Sequence, residues 1–287
     1  MKAIIPAAGM GTRFLPLTKS QPKEMLPVVD KPVIQYVVEE AVQAGASEIL
    51  IVTGRGKRAL EDHFDRSVEL EQLLEETGKV EALATVRAIS ELAEVFYVRQ
   101  KQPRGLGHAV VCGAPFTDDE AFYVMLGDVL VPDCGILPRL REVHERTGAS
   151  VIAVIPVPDE LVSHYGVIAG EADEQGVWRV SGLIEKPTRE DAPSNLAIFG
   201  RYLLTPRVME LLANTPPGKG GEIQLTDALV ALLDVEEIYA VVIEPDDGFD
   251  TGNVLSWLEA NVALALRRDE YGAALRSSLA RMLERVR

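Results

Sequence analysis

The run Gly9-Met10-Gly11-Thr12-Arg13, followed by Lys23 within Pro22-Lys23-Glu24-Met25-Leu26-Pro27, is where this sequence can do chemistry. Glycines at 9 and 11 let a backbone approach a phosphate closely and present N–H groups to it without Cβ atoms in the way. Arg13 and Lys23 add charge that can settle on a polyphosphate as it reacts. An apolar strand, Ala3-Ile4-Ile5, leads straight into the turn, and the whole predicts a nucleoside triphosphate site. It is neither of the two commonest glycine loops. The pattern G-x-x-x-x-G-K-[ST] is absent, and G-x-G-x-x-G fails because Phe14 stands at the third glycine.

The elements that must hold this turn read as alternating strands and helices. Short runs rich in β-branched residues predict strands at 2–6, 48–53, 95–99, 121–126 and 149–155. Helical patterns at 32–45, 56–64, 67–77, 106–113 and 135–147 fall between them. That alternation predicts an α/β fold: a Rossmann-like, mostly parallel mixed sheet flanked by helices on both faces. Asp30 is the expected N-cap of the first long helix, Pro32 fits its first turn, and Gly45 ends it.

From Gly166 the texture changes to consecutive strands near 166–171, 177–185 and 197–204. These predict an antiparallel lobe, about 156–205, packed against the main sheet. Helices near 206–213 and 222–233, a strand at 238–243 and a helix from 253 to about 267 follow. Residues 269–287 form a last arginine-rich helix. Residues 1–266 therefore read as one domain with a lobe, and 267–287 as a C-terminal helix.

With 47% hydrophobic and 25% charged residues, the 287-residue chain has the composition of an ordinary globular protein. Cys112 and Cys134 are the only cysteines, so no disulfide framework is implied and a reducing cytoplasm is expected. Lys2 is followed by four apolar residues, too few for the core of a secretion signal. No apolar run reaches the roughly 18–20 residues of a membrane helix. A net charge of −15 argues against nonspecific nucleic-acid binding. It also raises the question of how an acidic protein holds a polyanion. Residues 1–32 answer it: Lys2, Arg13, Lys19, Lys23 and Lys31 face only Glu24 and Asp30, five basic against two acidic, a local excess of three. The acidic stretch 234–247 is expected to be a solvated face.

The glycine turn and Pro22-Lys23-Glu24-Met25-Leu26-Pro27 together resemble the signature of the sugar-nucleotide pyrophosphorylases, a nucleotidyltransferase family. The resemblance continues through Gly105-Leu106-Gly107-His108-Ala109, Glu185-Lys186-Pro187, Pro193-Ser194-Asn195-Leu196-Ala197, Glu222-Ile223-Gln224-Leu225-Thr226-Asp227 and Asp250-Thr251-Gly252-Asn253, up to about Leu266. Within the family the motifs are most similar to bacterial members that act on UTP and glucose 1-phosphate. The resemblance implies the nucleotide-diphospho-sugar transferase fold and a Mg²⁺-dependent reaction releasing UDP-glucose and pyrophosphate, in a homodimer or homotetramer.

By the same resemblance, backbone at Ala8, Gly9, Gly11 and Thr12 would hold ribose and phosphates. Arg13 would sit on the β- and γ-phosphates and Lys23 on the α-phosphate. Gln100, rather than its neighbour Gln102, would read the base beside Gly105, because a glutamine amide both donates and accepts. Asp128, after the strand ending at Leu126, and Asp250 would hold the metal. Gly166, Glu185, Lys186, Asn195 and Ile198 would form the sugar-phosphate side, with Lys186 on the phosphate.

Plainer readings compete at several positions. Asp128 could be a turn aspartate, Asp250 a helix-start residue, Lys23 a surface lysine, and Glu185-Lys186 a surface pair. His108 reads as structural rather than catalytic. A thymidylyltransferase, a uridylyltransferase for another hexose phosphate, a non-catalytic sugar-nucleotide sensor and a dinucleotide-dependent dehydrogenase are the alternative functions. Arg276, Arg281, Arg285 and Arg287 on the last helix suit a subunit contact or a frayed terminus.

Overall fold

The computed structural model describes residues 1–132 and 135–286; Asp133, Cys134 and Arg287, and with them part of the cysteine and C-terminal arginine expectations, lie outside the described residues. In chain order the first half runs β1 (Lys2–Ala7), β2 (Pro27–Val28), β3 (Lys31–Pro32), α1 (Val33–Gln43), β4 (Glu48–Thr53), α2 (Arg58–Phe64), α3 (Val68–Glu76), α4 (Val80–Ser90), β5 (Glu94–Arg99), α5 (Leu106–Val111), β6 (Phe122–Met125), β7 (Val129–Leu130) and α6 (Ile136–Thr147). The second half adds β8 (Ser150–Pro156), β9 (Gly166–Ala172), β10 (Val177–Glu185), β11 (Leu196–Leu204), α7 (Arg207–Asn214), α8 (Leu225–Leu233), β12 (Ile238–Val242), β13 (Phe249–Asp250), α9 (Val254–Leu266) and α10 (Gly272–Val286). No helix among the described residues is long and apolar enough to cross a membrane.

The main sheet has the order β5-β4-β1-β6-β11-β8-β12-β10-β9. Strands β5, β4, β1 and β6 pair in parallel, as do β8 and β12. The remaining pairings are antiparallel, including a contact that returns β9 to β11. Alternate residues point to opposite faces. Ala3 and Ile5 of β1 join one core with α1 and α6, while Ile4 joins the other with α5, α7 and α8.

Two expectations need correction, and one helix was not foreseen. The antiparallel strands do not pack against the sheet; β9 and β10 extend its edge, and β11 lies in its middle between β6 and β8. Asp30 does not cap α1: it sits in the turn between β2 and β3 and accepts from Arg268 at 2.7 Å, while extended Pro32 occupies the cap position. Helix α4 was not visible in the sequence, because none of its residues is buried and its apolar period is weak.

Every residue of β11 is buried, and Arg201 on it is fully so. Its guanidinium donates to both Glu40 oxygens, at 3.0 Å from Nε and 2.7 Å from Nη2. It also reaches the carbonyls of Gly200, Leu126 and Val129 at 3.0, 3.4 and 2.8 Å. Burial pushes the Glu40 carboxyl up even against this arginine. Such a pair contributes little net stability but fixes position. What it fixes is the turn from Leu126 to Val129.

Candidate active site

That turn carries Asp128. It leaves the C-terminal end of β6, alongside the glycine loop that leaves the end of β1, and Gly127 N–H donates to Pro6 O at 3.4 Å. Here the strand order reverses: β4 and β5 follow β1 on one side, while β6 lies on its other side. Ligand crevices of open α/β sheets form at such switch points, beyond the carboxyl ends of the strands. A second turn is delivered by the two-residue ladder of β7 with β13, which sets Asp250 opposite Val129. Thr251 Oγ1 donates to the Asp128 carbonyl at 2.7 Å and locks the two turns together.

The carboxylates converge on Gly252. A Cβ at that position would lie 2.8 Å from Asp250 Oδ1 and 2.9 Å from Asp128 Oδ2. Lys23 Nζ donates to Asp128 Oδ2, with both side chains only about one-fifth exposed. Asp250 accepts from Gly252 N–H at 2.9 Å and from the Tyr165 hydroxyl at 3.1 Å. Burial raises the Asp250 carboxyl, and the neighbouring Asp128 charge raises it further. Burial would raise Asp128 too, but the Lys23 charge and hydrogen bond outweigh it and hold that carboxyl below its ordinary value. Lys23 is desolvated, yet Asp128 and Glu24 keep its ammonium above its usual range. Asn253, not Asp250, caps α9, accepting from Ser256 N–H at 2.9 Å, so the helix-start reading of Asp250 falls away.

Beneath Lys23 lies a second buried ion pair. Glu24 Oε2 accepts from Lys57 Nζ at 2.6 Å, both side chains are under one-tenth exposed, and Glu24 Oε1 has no partner among the described residues. Burial raises the Glu24 carboxyl despite Lys57 and Lys23.

Two cavities meet at the glycine loop and share Ala8, Gly9, Gln100 and Pro103. One, of about 300 Å³, also reaches Lys23, Gly105, Leu106 and Asp128. The other, of about 670 Å³, reaches Thr12, Lys19, Arg55 and Lys57. Gln100 is buried and Gln102 exposed. Gln100 Nε2 lies 3.0 Å from Gly105 O and 2.9 Å from His108 Nδ1. Arg13 lines neither cavity. It faces a third, of about 640 Å³, together with Tyr165, Asp250 and Asn253.

The sugar-side residues form their own cluster. Glu185 Oε1 accepts from Lys186 Nζ at 2.8 Å and Oε2 from Thr226 Oγ1 at 2.6 Å. Lys186 is held at φ +47°, a region a lysine rarely adopts. Gly166 packs against this cluster, since a Cβ there would come 2.9 Å from Thr226 Oγ1 and 3.1 Å from both Glu185 Oε2 and Ile198 Cδ1. Ile198 is buried in the core, and exposed Asn195 is held by its carbonyl, which accepts from Val157 N–H at 3.0 Å. Tyr165 joins the two clusters: its hydroxyl donates to Asp250, and its carbonyl accepts from Lys186 N–H at 2.9 Å.

Sequence reasoning missed Tyr165, Thr226, Arg201 and the Glu24–Lys57 pair as parts of the site. Arg201 had a signal, as the one charge inside the apolar run Leu196–Leu204; Tyr165 had none beyond its place next to Gly166. Of the acids in 234–247, Asp234, Glu237, Glu244 and Asp246 are exposed, but the stretch also contains the mostly buried β12, and Glu236 is tied to Ser150 and Thr205.

The donor set at Asp128 and Asp250 fits a divalent cation that also keeps phosphate and water ligands. Two carboxylates crowd one point, and no cluster of three or more His, Cys, Asp or Glu suited to a metal occurs among the described residues. Mg²⁺ takes one or two carboxylates plus substrate phosphates rather than an all-protein cage.

The sheet order, the switch-point crevice and the paired carboxylates define a nucleotidyl-transferring enzyme. Residues 2–266 match the family model described as Nucleotidyl transferase, and the chain belongs to that family. It is 49% identical over 270 residues to a UTP–glucose-1-phosphate uridylyltransferase of Bacillus subtilis, covering 94% of this chain and 92% of that one. A UDP-glucose pyrophosphorylase solved with UDP-glucose superposes with a TM-score of 0.84 at 46% identity, covering 93% of this chain and 99% of the other. A UTP-bound enzyme of the same kind from Acinetobacter baumannii superposes with a TM-score of 0.88 at 42% identity, covering 97% and 98%.

Proposed function

We propose that this chain transfers a uridylyl group from UTP to glucose 1-phosphate, yielding UDP-glucose and pyrophosphate. The observation that carries the reading is the convergence of Lys23, Asp128 and Asp250 at the mouth of a glycine loop. Near full-length similarity to uridylyltransferases narrows the substrates. The attacking group, a sugar phosphate oxygen, is already ionised at neutral pH, so no general base or covalent nucleophile is required. Catalysis reduces to alignment and charge neutralisation.

In this reading Asp128 and Asp250 hold the divalent cation, and Mg²⁺ is the ion their number and chemistry suit. Bound there, the ion would neutralise charge between two mutually repelling anions. Lys23, lying over Gly9, supplies the ammonium for the α-phosphate. Arg13, in the cavity it shares with Tyr165 and Asp250, serves the β- and γ-phosphates and the departing pyrophosphate. Gln100 and Gly105 read the base, and Glu185 and Lys186 take the sugar phosphate beside Gly166, Asn195 and Ile198. We further propose a cytoplasmic homodimer or homotetramer.

A pyrophosphate-release panel of four nucleoside triphosphates against several sugar 1-phosphates tests the assignment. UTP with glucose 1-phosphate should give the highest kcat/KM and should require the cation. Binding of UDP-glucose without turnover of any pair would make the chain a sensor and refute the enzymatic reading.

A further inference from the structure

We propose that His108 is a positioning residue that turns Gln100 into an acceptor-only reader, so that the site demands a base whose ring nitrogen N3 carries a hydrogen. The inference deepens the uridylyl reading and rests on it.

The argument starts from a carbonyl. Gly105 O cannot donate, so the Gln100 atom 3.0 Å from it must be the amide nitrogen. That same nitrogen lies 2.9 Å from His108 Nδ1. An amide nitrogen has two hydrogens and accepts nothing, so Nδ1 must be the acceptor and the imidazole carries its proton on Nε2. Both Nε2 hydrogens of Gln100 are therefore taken. Oε1 remains, no described residue donates to it, and Gln100 lines both cavities at the glycine loop.

The frame behind this arrangement is rigid. Gln100 N–H donates to Thr53 O at 2.8 Å. Gly105 is held at φ +100°, where a Cβ would come 2.6 Å from Ile223 O. On either side of it, Ile223 N–H donates to Arg104 O at 2.8 Å and Gly107 N–H to Ile223 O at 2.9 Å. Burial, aided by Arg104, lowers the His108 pKa and keeps Nδ1 an acceptor at neutral pH.

A lone acceptor separates pyrimidines. With Oε1 facing N3, uracil offers it the N3–H, whereas cytosine presents a lone pair there and sets acceptor against acceptor, its one donor on that edge being the amine at C4. Without His108, one Nε2 hydrogen is released and the amide, held by Gly105 alone, can turn to offer a donor.

The test compares kcat/KM for UTP and CTP, each with glucose 1-phosphate, in the wild type, His108→Ala and His108→Asn. Alanine should narrow the UTP-to-CTP preference by roughly tenfold, the worth of one neutral hydrogen bond, mainly through the UTP KM. Asparagine, whose Oδ1 can accept where Nδ1 did, should restore it. An unchanged preference in the alanine variant, even with a lower melting temperature, overturns the proposal by making His108 merely structural. Failure of asparagine to restore the preference lost in alanine overturns its hydrogen-bond basis. A probe that needs no variant is N3-methyl-UTP, which the wild type should reject as strongly as CTP; its acceptance also overturns the proposal. A wild type that forms no UDP-glucose from UTP refutes the uridylyl reading instead.

Discussion

Gly252→Ala places a methyl group between the two carboxylates and tests whether they act as one site. The built Cβ lies 2.8 Å from Asp250 Oδ1 and 2.9 Å from Asp128 Oδ2. Ordinary carbon–oxygen contact begins near 3.4 Å. Each oxygen must therefore retreat by about half an ångström. Gly252 is not held at positive φ, so the backbone accepts alanine and the damage stays local. Mg²⁺ needs oxygens at about 2.0–2.1 Å in near-octahedral array. A misplacement of about 1 Å at a reacting centre costs about a hundredfold. Half that shift predicts a fall in kcat/KM of roughly tenfold. The cation concentration at half-maximal rate should rise in step. Mn²⁺ binding in the presence of UDP-glucose, followed by its paramagnetic resonance, should weaken by a similar factor. A folded variant with wild-type rate, cation midpoint and Mn²⁺ affinity would refute joint coordination by Asp128 and Asp250.

Asp250, raised by burial and by Asp128, takes a proton before Asp128 does as pH falls, so apparent cation affinity should drop by one proton per ion on the acid side. Because the folded state binds that proton better than the unfolded one, this group makes the metal-free protein more stable as pH falls through its pKa. Asp250→Asn should weaken the cation at every pH and abolish the slope; a slope that survives would assign the proton elsewhere. Lys186→Gly should relieve strain of about 1 kcal/mol at φ +47° and raise the melting temperature by about 2 °C. It should also raise the KM for glucose 1-phosphate at least roughly tenfold, the worth of one hydrogen bond to a charged group. A change confined to the UTP KM would show that Lys186 serves the other substrate. Arg201→Met should cost about 3–5 kcal/mol in urea unfolding, because Glu40 is left buried and unpaired. Adding Glu40→Leu should recover much of that stability without recovering kcat, since the Leu126 and Val129 carbonyls still lose their donor; full recovery of kcat would deny Arg201 any role in placing Asp128.

What could be read in the sequence follows from where the information lies along the chain. The strand into the glycine loop, the parallel half of the sheet and the sugar-side strands are each written within a few residues, as apolar runs bounded by turns. Their limits agree with the structure to within one or two residues. The candidate site residues Lys23, Asp128 and Asp250 were picked out by motif resemblance, and the structure brings them together. Their coupling was not legible, because it depends on a two-residue ladder between segments distant in sequence. The place of β11 in mid-sheet was hidden for a similar reason: strand order is a long-range property, and local texture marks only that strands follow one another. Arg13 illustrates the limit for side chains. Its position in the loop gives no direction for its side chain, which lines the cavity of Asp250 and Tyr165 rather than the two that Gln100 lines.

The buried charges explain how an acidic chain presents a polyphosphate site. In-line displacement asks that the reacting groups be aligned within about 3–3.5 Å, and alignment requires that nothing in the frame give way. Around Asp128 the frame consists of three charged contacts: Arg201 with Glu40 behind the turn, Lys57 with Glu24 below, and Lys23 on the carboxylate itself. Buried pairs of this kind add little net stability, so their value lies in holding Leu126–Val129 and Lys23 in one geometry. Tyr165 carries that geometry across to the sugar side, with its hydroxyl on Asp250 and its carbonyl on the backbone of strained Lys186. One tyrosine thus links the carboxylate that would hold the cation to the lysine that would hold the second phosphate. The two anions are thereby referred to a single rigid element rather than to two independent lobes.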